Sequence, residues 1–199
     1  MGEQVFQGAT VVGLKFSSGI VIAGERRMTY GSYIQSSNAK KVFLLNDRMA
    51  IGAAGTVGDL QNIIRLLKEE MRYYEGEVKG KMKVRSAAKL LSNILYSLKV
   101  FPAMAEFVLG GIENGSPVLA VLDPVGSVLE DDFVVVGSGG SISIGIIEEL
   151  YKPGLSESEA IDIAVKAVKQ GIRRDALSGG DIDYVVVTKE KSYEGKARL

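Results

Sequence analysis

The chain contains no cysteine and no histidine. Without cysteine there is no disulfide, no thiolate nucleophile and no zinc–thiolate site. Without histidine there is no imidazole base, no Ser-His-Asp triad and no His-ligated metal. No excess of either charge is present: Lys+Arg and Asp+Glu number 24 each, so nothing global points to nucleic acid or to an anionic membrane. No apolar run approaches the ~18 residues that a membrane span needs. The opening stretch MGEQVFQG has neither the basic start nor the apolar core of a secretory signal. An enzyme of this composition working near neutral pH must take its base from a carboxylate, a lysine or the chain's own amine.

What is present describes one globular domain. The chain has 199 residues, 46% of them hydrophobic, enough for a sizeable core and too few for two comfortable domains. Thr10 to Phe16 and Gly19 to Glu25 read as strands joined at Ser17-Ser18-Gly19. Tyr33 to Ser36, Val42 to Leu45 and Met49 to Ala54 read as three more. Leu60, Ile63, Ile64, Leu67, Met71 and Tyr74 then form one helical stripe, broken by a polar stretch from Gly76 to Lys83. A second helix is predicted from about Arg85 to Val100, closed by Pro102, with Ala88, Leu91, Ile94, Leu95 and Leu98 buried.

Strands return at Phe107 to Ile112, Pro117 to Leu122, Gly126 to Leu129 and Asp132 to Val136. A third helix is predicted over about Ser141 to Tyr151. Ser156-x-x-Glu159 is a capping box for a fourth. Ile182 to Thr188 is the last predicted strand. The order is strands, two helices, strands, two helices, strand. Two sheets packed face to face, with a helix pair outside each, would bury every stripe.

The stretches TVVGL…GIVIAGERR, KKVF, AAGTVGD, LLSNILY, LGGIENG, LDPVGS, VVVGSGG and RRDALSGGDID run in order at compatible spacing. Together they resemble the β subunits of the proteasome core particle, the archaeal type best, over Gly8 to about Thr188. The resemblance implies an α+β fold, a four-layer αββα sandwich of the N-terminal-nucleophile hydrolase class. It implies a threonine-type endopeptidase acting on unfolded polypeptides in the cytoplasm, with no cofactor and no metal. It implies a heptameric ring shared with other β subunits, stacked on α subunits and served indirectly by a regulatory ATPase ring. No nucleic-acid or membrane partner is implied.

Subunits of this family are made with a propeptide ending in glycine, and autocleavage after it exposes a threonine that is both nucleophile and new N-terminus. Here residues 1–8 match the propeptide, Gly8 the cleavage glycine and residues 9–199 the mature domain. Counting back from Glu25-Arg26-Arg27 through Gly13 puts the nucleophile position on Ala9. Thr10 is one residue out of register. In a strand its side chain points to the opposite face, and its nitrogen is held in a peptide bond with Ala9.

A threonine hydroxyl needs a base, and a free α-amine with an unperturbed pKa of about 7.7 to 8.0 is suited to the task. Ala9 has no hydroxyl, so this chain is expected to stay uncleaved and inactive. Lys41 matches the family's active-site lysine and Glu25 the carboxylate that orients it. By default the two would read as a solvated surface pair. Asp175, Ser178 and Ser138 match the polar support of the nucleophile and its amine, and otherwise read as turn residues. Gly55 matches the residue whose N–H forms the oxyanion hole.

Thr29 and Val57 match positions that line substrate as an added strand. Met28, Ala39, Phe43, Ala53 and Val57 match the primary specificity pocket, whose apolar character implies a hydrophobic P1 preference. Core packing is the plain alternative for each. Two function classes follow: a protease subunit whose nucleophile has been replaced by design, and a naturally non-catalytic β subunit that supports active neighbours. The retained Lys41, Glu25, Asp175, Ser138 and Gly55 favour the first, because an inactive subunit has no chemical need of the set.

Overall fold

The computed structural model describes residues 8–199. The assignment of residues 1–8 as a propeptide therefore lies outside the described residues except at Gly8. Two five-stranded antiparallel sheets form the centre. The first contains β1 (Val11–Phe16), β2 (Gly19–Glu25), β10 (Phe133–Val136), β11 (Ile182–Thr188) and β12 (Ser192–Ala197), in the order β10-β1-β2-β11-β12. The second contains β5 (Val42–Leu44), β6 (Met49–Gly55), β7 (Ala105–Glu113), β8 (Ser116–Leu122) and β9 (Val128–Glu130), in chain order. A hairpin of β3 (Met28–Tyr30) and β4 (Tyr33–Ser36) stands apart.

Helices α1 (Val57–Val78) and α2 (Val84–Ser97) cover the second sheet, and α3 (Gly140–Leu150) and α4 (Glu157–Arg174) cover the first. The result is the expected four-layer αββα sandwich. Three apolar clusters hold it together. Val11, Ile20, Ile22, Val42, Val108, Leu119 and Val185 fill the space between the sheets. Leu60, Leu67, Leu91 and Leu95 pack on Phe107 and Leu109 on one side, and Ala160, Ala164 and Val168 pack on Val12, Leu14 and Val186 on the other. Each large side chain buried this way contributes roughly 1.5–3 kcal/mol. β2 lies in the middle of its sheet and between two layers, so all seven of its residues are buried.

The structure corrects several boundaries. α1 runs through Gly76 to Val78 and stops where Lys79 adopts a left-handed φ of 51°. Gly76 costs a little helix propensity but breaks nothing, and Glu77 and Val78 continue the helix past it. Tyr74 is exposed rather than part of the core stripe. α2 ends at Ser97, well before Pro102. Leu98, Lys99 and Phe101 each donate to the carbonyl three residues back, so the chain tightens out of the α-helix on its own. Leu98 is accordingly exposed, not buried.

The capping box is present as predicted. Ser156 Oγ accepts the Glu159 N–H at 3.3 Å, and the Glu159 carboxylate accepts the Ser156 N–H at 2.9 Å. Ser156→Ala is expected to cost about 1 kcal/mol, read as a lowered midpoint in urea with an unchanged slope. Among the described residues, no helix is long and apolar enough to cross a membrane.

Candidate active site

The β1–β10 register sets Val11 opposite Val136, and Ala9 continues that ladder outward. Its carbonyl accepts the Gly139 N–H at 3.2 Å, and its own N–H donates to Ser138 Oγ at 3.2 Å. The methyl of Ala9 is fully buried in the cluster between the sheets, with Val42 and Ala54. Gly137 makes this approach possible. Its φ is +91°, and a side chain there would meet the Ala9 carbonyl oxygen at 2.2 Å. Gly8 is equally constrained: a Cβ would lie 2.0 Å from Leu177 Cβ and 2.7 Å from Ser138 Oγ. Only glycine fits before Ala9.

Ser138 leads to a carboxylate at the end of α4. Its Oγ donates to Asp175 Oδ2 at 2.5 Å, and Ser178 Oγ donates to the same oxygen at 2.6 Å. The Leu177 N–H donates to Oδ1 at 3.1 Å. These residues are more than a hundred positions from Ala9 in sequence. The turn after β10 brings Ser138 to the mouth of β1, and the end of α4 with the loop after it brings Asp175, Leu177 and Ser178.

A second cluster adjoins the first. Lys41 Nζ donates to Glu25 Oε1 and to the Arg27 carbonyl oxygen. Glu25 Oε2 accepts the Arg27 N–H at 2.6 Å and the Gly179 N–H at 2.9 Å. Lys41 is 1% exposed and Glu25 is fully buried. This is a buried ion pair, not the solvated surface pair of the default reading. Burial pushes the Lys41 ammonium below the usual lysine range while Glu25 pulls it back. Burial pushes the Glu25 carboxyl up against Lys41 and the two amides. Three N–H donors meet its oxygens, which favours the carboxylate form. The charge of Asp175 also acts on Lys41, and Gly179 directly follows Ser178, so the two clusters meet at the loop after α4.

Gly55 ends β6 beside this region. Its φ is +130°, and a Cβ would sit 2.0 Å from the Met104 carbonyl oxygen, so only glycine is accommodated. Ala54, its neighbour, would be met at 3.0 Å by a Cβ on Gly137. Ala53, Phe43 and Val57 share one cluster on the helix side of the second sheet. Phe43 also borders a groove of about 340 Å³ with Gln61, Ile64 and Lys68. Thr29 is buried in β3 and its hydroxyl has no hydrogen-bond partner among the described residues. Met28 and Ala39 are half-buried and lie outside the Ala53 cluster. Ala39 instead donates its N–H to the Arg26 carbonyl.

Two participants were not legible in the sequence. Glu106 Oε2 accepts the Gly137 N–H at 2.9 Å and so fixes the turn under Ala9. Thr10 is fully buried and hydrogen-bonded to Ser178 Oγ at 2.8 Å. Its position on the face opposite Ala9 agrees with strand alternation. Its partner could not be read from the sequence, because the two residues are 168 positions apart. Among the described residues, no group of acidic side chains could hold a metal ion.

Residues 5–187 match the sequence family described as proteasome subunit. The chain belongs to the proteasome subunit family. It is 44% identical over 199 residues to proteasome subunit beta 2 of Pyrobaculum calidifontis, covering 100% of this chain and 98% of that one. It is 46% identical over 196 residues to proteasome subunit beta 1 of Desulfurococcus amylolyticus, covering 98% and 96%. It is 48% identical over 180 residues to proteasome subunit beta 1 of Ignicoccus hospitalis, covering 90% of each. All three relatives are archaeal β subunits, in line with the resemblance drawn from the motifs. The two packed sheets with outer helix pairs are thus the N-terminal-nucleophile hydrolase fold of a proteasome-family chain.

Proposed function

We propose that this chain is a β subunit of a proteasome core particle that carries the threonine-protease site without its nucleophile. The observation behind this reading is the setting of Ala9. Its nitrogen rests on Ser138, with Asp175 and Ser178 beyond, and the buried Glu25–Lys41 pair lies close by. The side chain offered to that setting is a methyl group. In this reading, residues 1–8 are a propeptide retained on the domain 9–199. Lys41 is the positive charge that lowers the cost of a developing alkoxide, and Glu25 orients it. Gly55 supplies the oxyanion N–H. Thr29 and Val57 line the substrate, and Met28, Ala39, Phe43 and Ala53 shape an apolar pocket for a hydrophobic P1 residue.

The relatives carry the names beta 1 and beta 2, which speaks for particles with more than one β type. A chain without a nucleophile then shares a heptameric ring with active β chains. It stacks on α rings in the cytoplasm and receives unfolded polypeptides through a regulatory ATPase ring.

Assembly tests this. The chain is co-expressed with α subunits and a second β type from one organism, and the particle is weighed by native mass spectrometry. We expect it to enter complete particles with residues 1–8 attached, because its helix stripes and sheet cores do not involve residue 9. Exclusion of the Ala9 chain from particles that accept its Ala9→Thr form would overturn the proposal.

A further inference from the structure

The hydrogen bonds around Asp175 each run in one direction. A hydroxyl has one proton to give. Ser178 gives its proton to Asp175 Oδ2, so the 2.8 Å contact between Thr10 and Ser178 must carry the proton of Thr10. Ser138 also gives its proton to Asp175 Oδ2, so it accepts from the residue-9 N–H. The chain has one sense from each end: Thr10 to Ser178 to Asp175, and residue 9 to Ser138 to Asp175. Thr10 is seated for this task. A Cβ on Gly139 would fall 2.0 Å from Thr10 Oγ1, and one on Gly171 would fall 2.7 Å from it. Both glycines leave the space that Thr10 fills.

We propose that Thr10 is a positioning residue for the residue-9 nitrogen, acting through Ser178, Asp175 and Ser138. The proposal rests on the reading of residue 9 as the position of the nucleophile and its amine. A free amine can take a proton only if its lone pair is unoccupied. Ser138 could quench it by turning its own proton toward the nitrogen. Asp175 prevents this by holding that proton on its Oδ2. Thr10 holds Ser178 with its lone pair filled and its proton on the same oxygen. Without the Thr10 hydroxyl, the Ser178 oxygen is buried with no donor facing it. The side chain then turns, and Asp175 loses one of the two hydroxyls that stabilise its charge. The other charged groups around this chain are Lys41, Glu25 and Arg27 on the Gly179 side, Glu106 beneath Gly137, and Arg173 and Arg174 in the last turn of α4.

The test has two arms. In assembled Ala9→Thr particles, Thr10→Val is expected to lower kcat about 3- to 10-fold at unchanged KM, the loss of one hydrogen bond read at the transition state. The acid limb of the pH–rate profile moves to higher pH, and Thr10→Ser restores both. In the full-length Ala9 chain, amide exchange at residue 9 is measured by NMR and is expected to speed up in Thr10→Val but not in Thr10→Ser. An active Ala9→Thr particle whose rate and pH profile ignore Thr10→Val overturns the inference and leaves the proposed function standing. An inactive Ala9→Thr particle counts against the proposed function. The exchange arm then decides alone: unchanged protection at residue 9 in Thr10→Val overturns the inference, and faster exchange supports it.

Discussion

Ala9→Thr chains, once assembled, are expected to lose residues 1–8 and to hydrolyse peptides with hydrophobic P1 residues. This is the largest effect expected of any single change. Removing a nucleophile that works as one unit with its base costs on the order of 10⁴ to 10⁶ in rate, so restoring it should return a factor of that size. The physical reason is that the setting is already in place. The residue-9 nitrogen has its acceptor in Ser138, Asp175 holds both serine protons, and the positive charge of Lys41 is fixed by Glu25 and the Arg27 carbonyl. Gly8 occupies a space that excludes any side chain, which keeps the bond to be cut against Ser138. Intact-mass analysis reads the cleavage and a fluorogenic peptide reads the turnover. A fully assembled Ala9→Thr particle that keeps residues 1–8 would show that more than the hydroxyl is missing.

Lys41→Ala is expected to do two kinds of damage. In the Ala9→Thr background it abolishes hydrolysis, because no histidine can stand in for the fixed charge. It also lowers stability by about 3–5 kcal/mol, the cost of leaving a buried carboxylate without its partner. The depth of the pair is the reason: neither side chain reaches solvent. Replacing both partners together, as Glu25→Gln with Lys41→Met, should recover most of the stability and none of the activity, because no charge is then stranded. Urea melts of the single and double variants, beside peptidase assays, separate scaffold from chemistry. A Lys41→Ala chain that melts like its parent would mean that water reaches Glu25. An active double variant would mean that a different lysine serves.

Strong periodicity made most of the fold legible. The stripe from Leu60 to Met71 and the capping box at Ser156 declared their helices, and the runs from Gly19 to Glu25 and Ile182 to Thr188 declared buried strands. β12 carries only a weak signal, because in the edge strand SYEGKA the core-facing positions are Tyr193, Gly195 and Ala197, too little apolar surface to declare a strand. β3 has no legible signal, because three residues carry no period. The ends of α1 and α2 are set by local backbone geometry rather than by Gly76 and Pro102. In the candidate site, the motif residues do come together around Ala9 and the Glu25–Lys41 pair. The Thr10–Ser178 bond and the Glu106 contact join segments far apart in the chain, and a single sequence holds no signal for such pairings. The substrate-lining set is less unified than the motifs imply, since Met28 and Ala39 stand outside the cluster that holds Ala53, Phe43 and Val57.

The depth of the Glu25–Lys41 pair also bears on how such a chain can age. An inactive subunit would shed its site residues only if they served chemistry alone. Here they are structural members as well. Losing either partner of the pair strands a charge in the core, and losing the Asp175 carboxylate unties two serines and an amide at once. Residue 9 has no such second duty, since a methyl fills its place in the core. Selection for folding alone would therefore hold the surroundings in place indefinitely while the hydroxyl drifts away. On the proposed reading, loss of the hydroxyl is a single step that leaves no further scar, and its reversal would need only one step back.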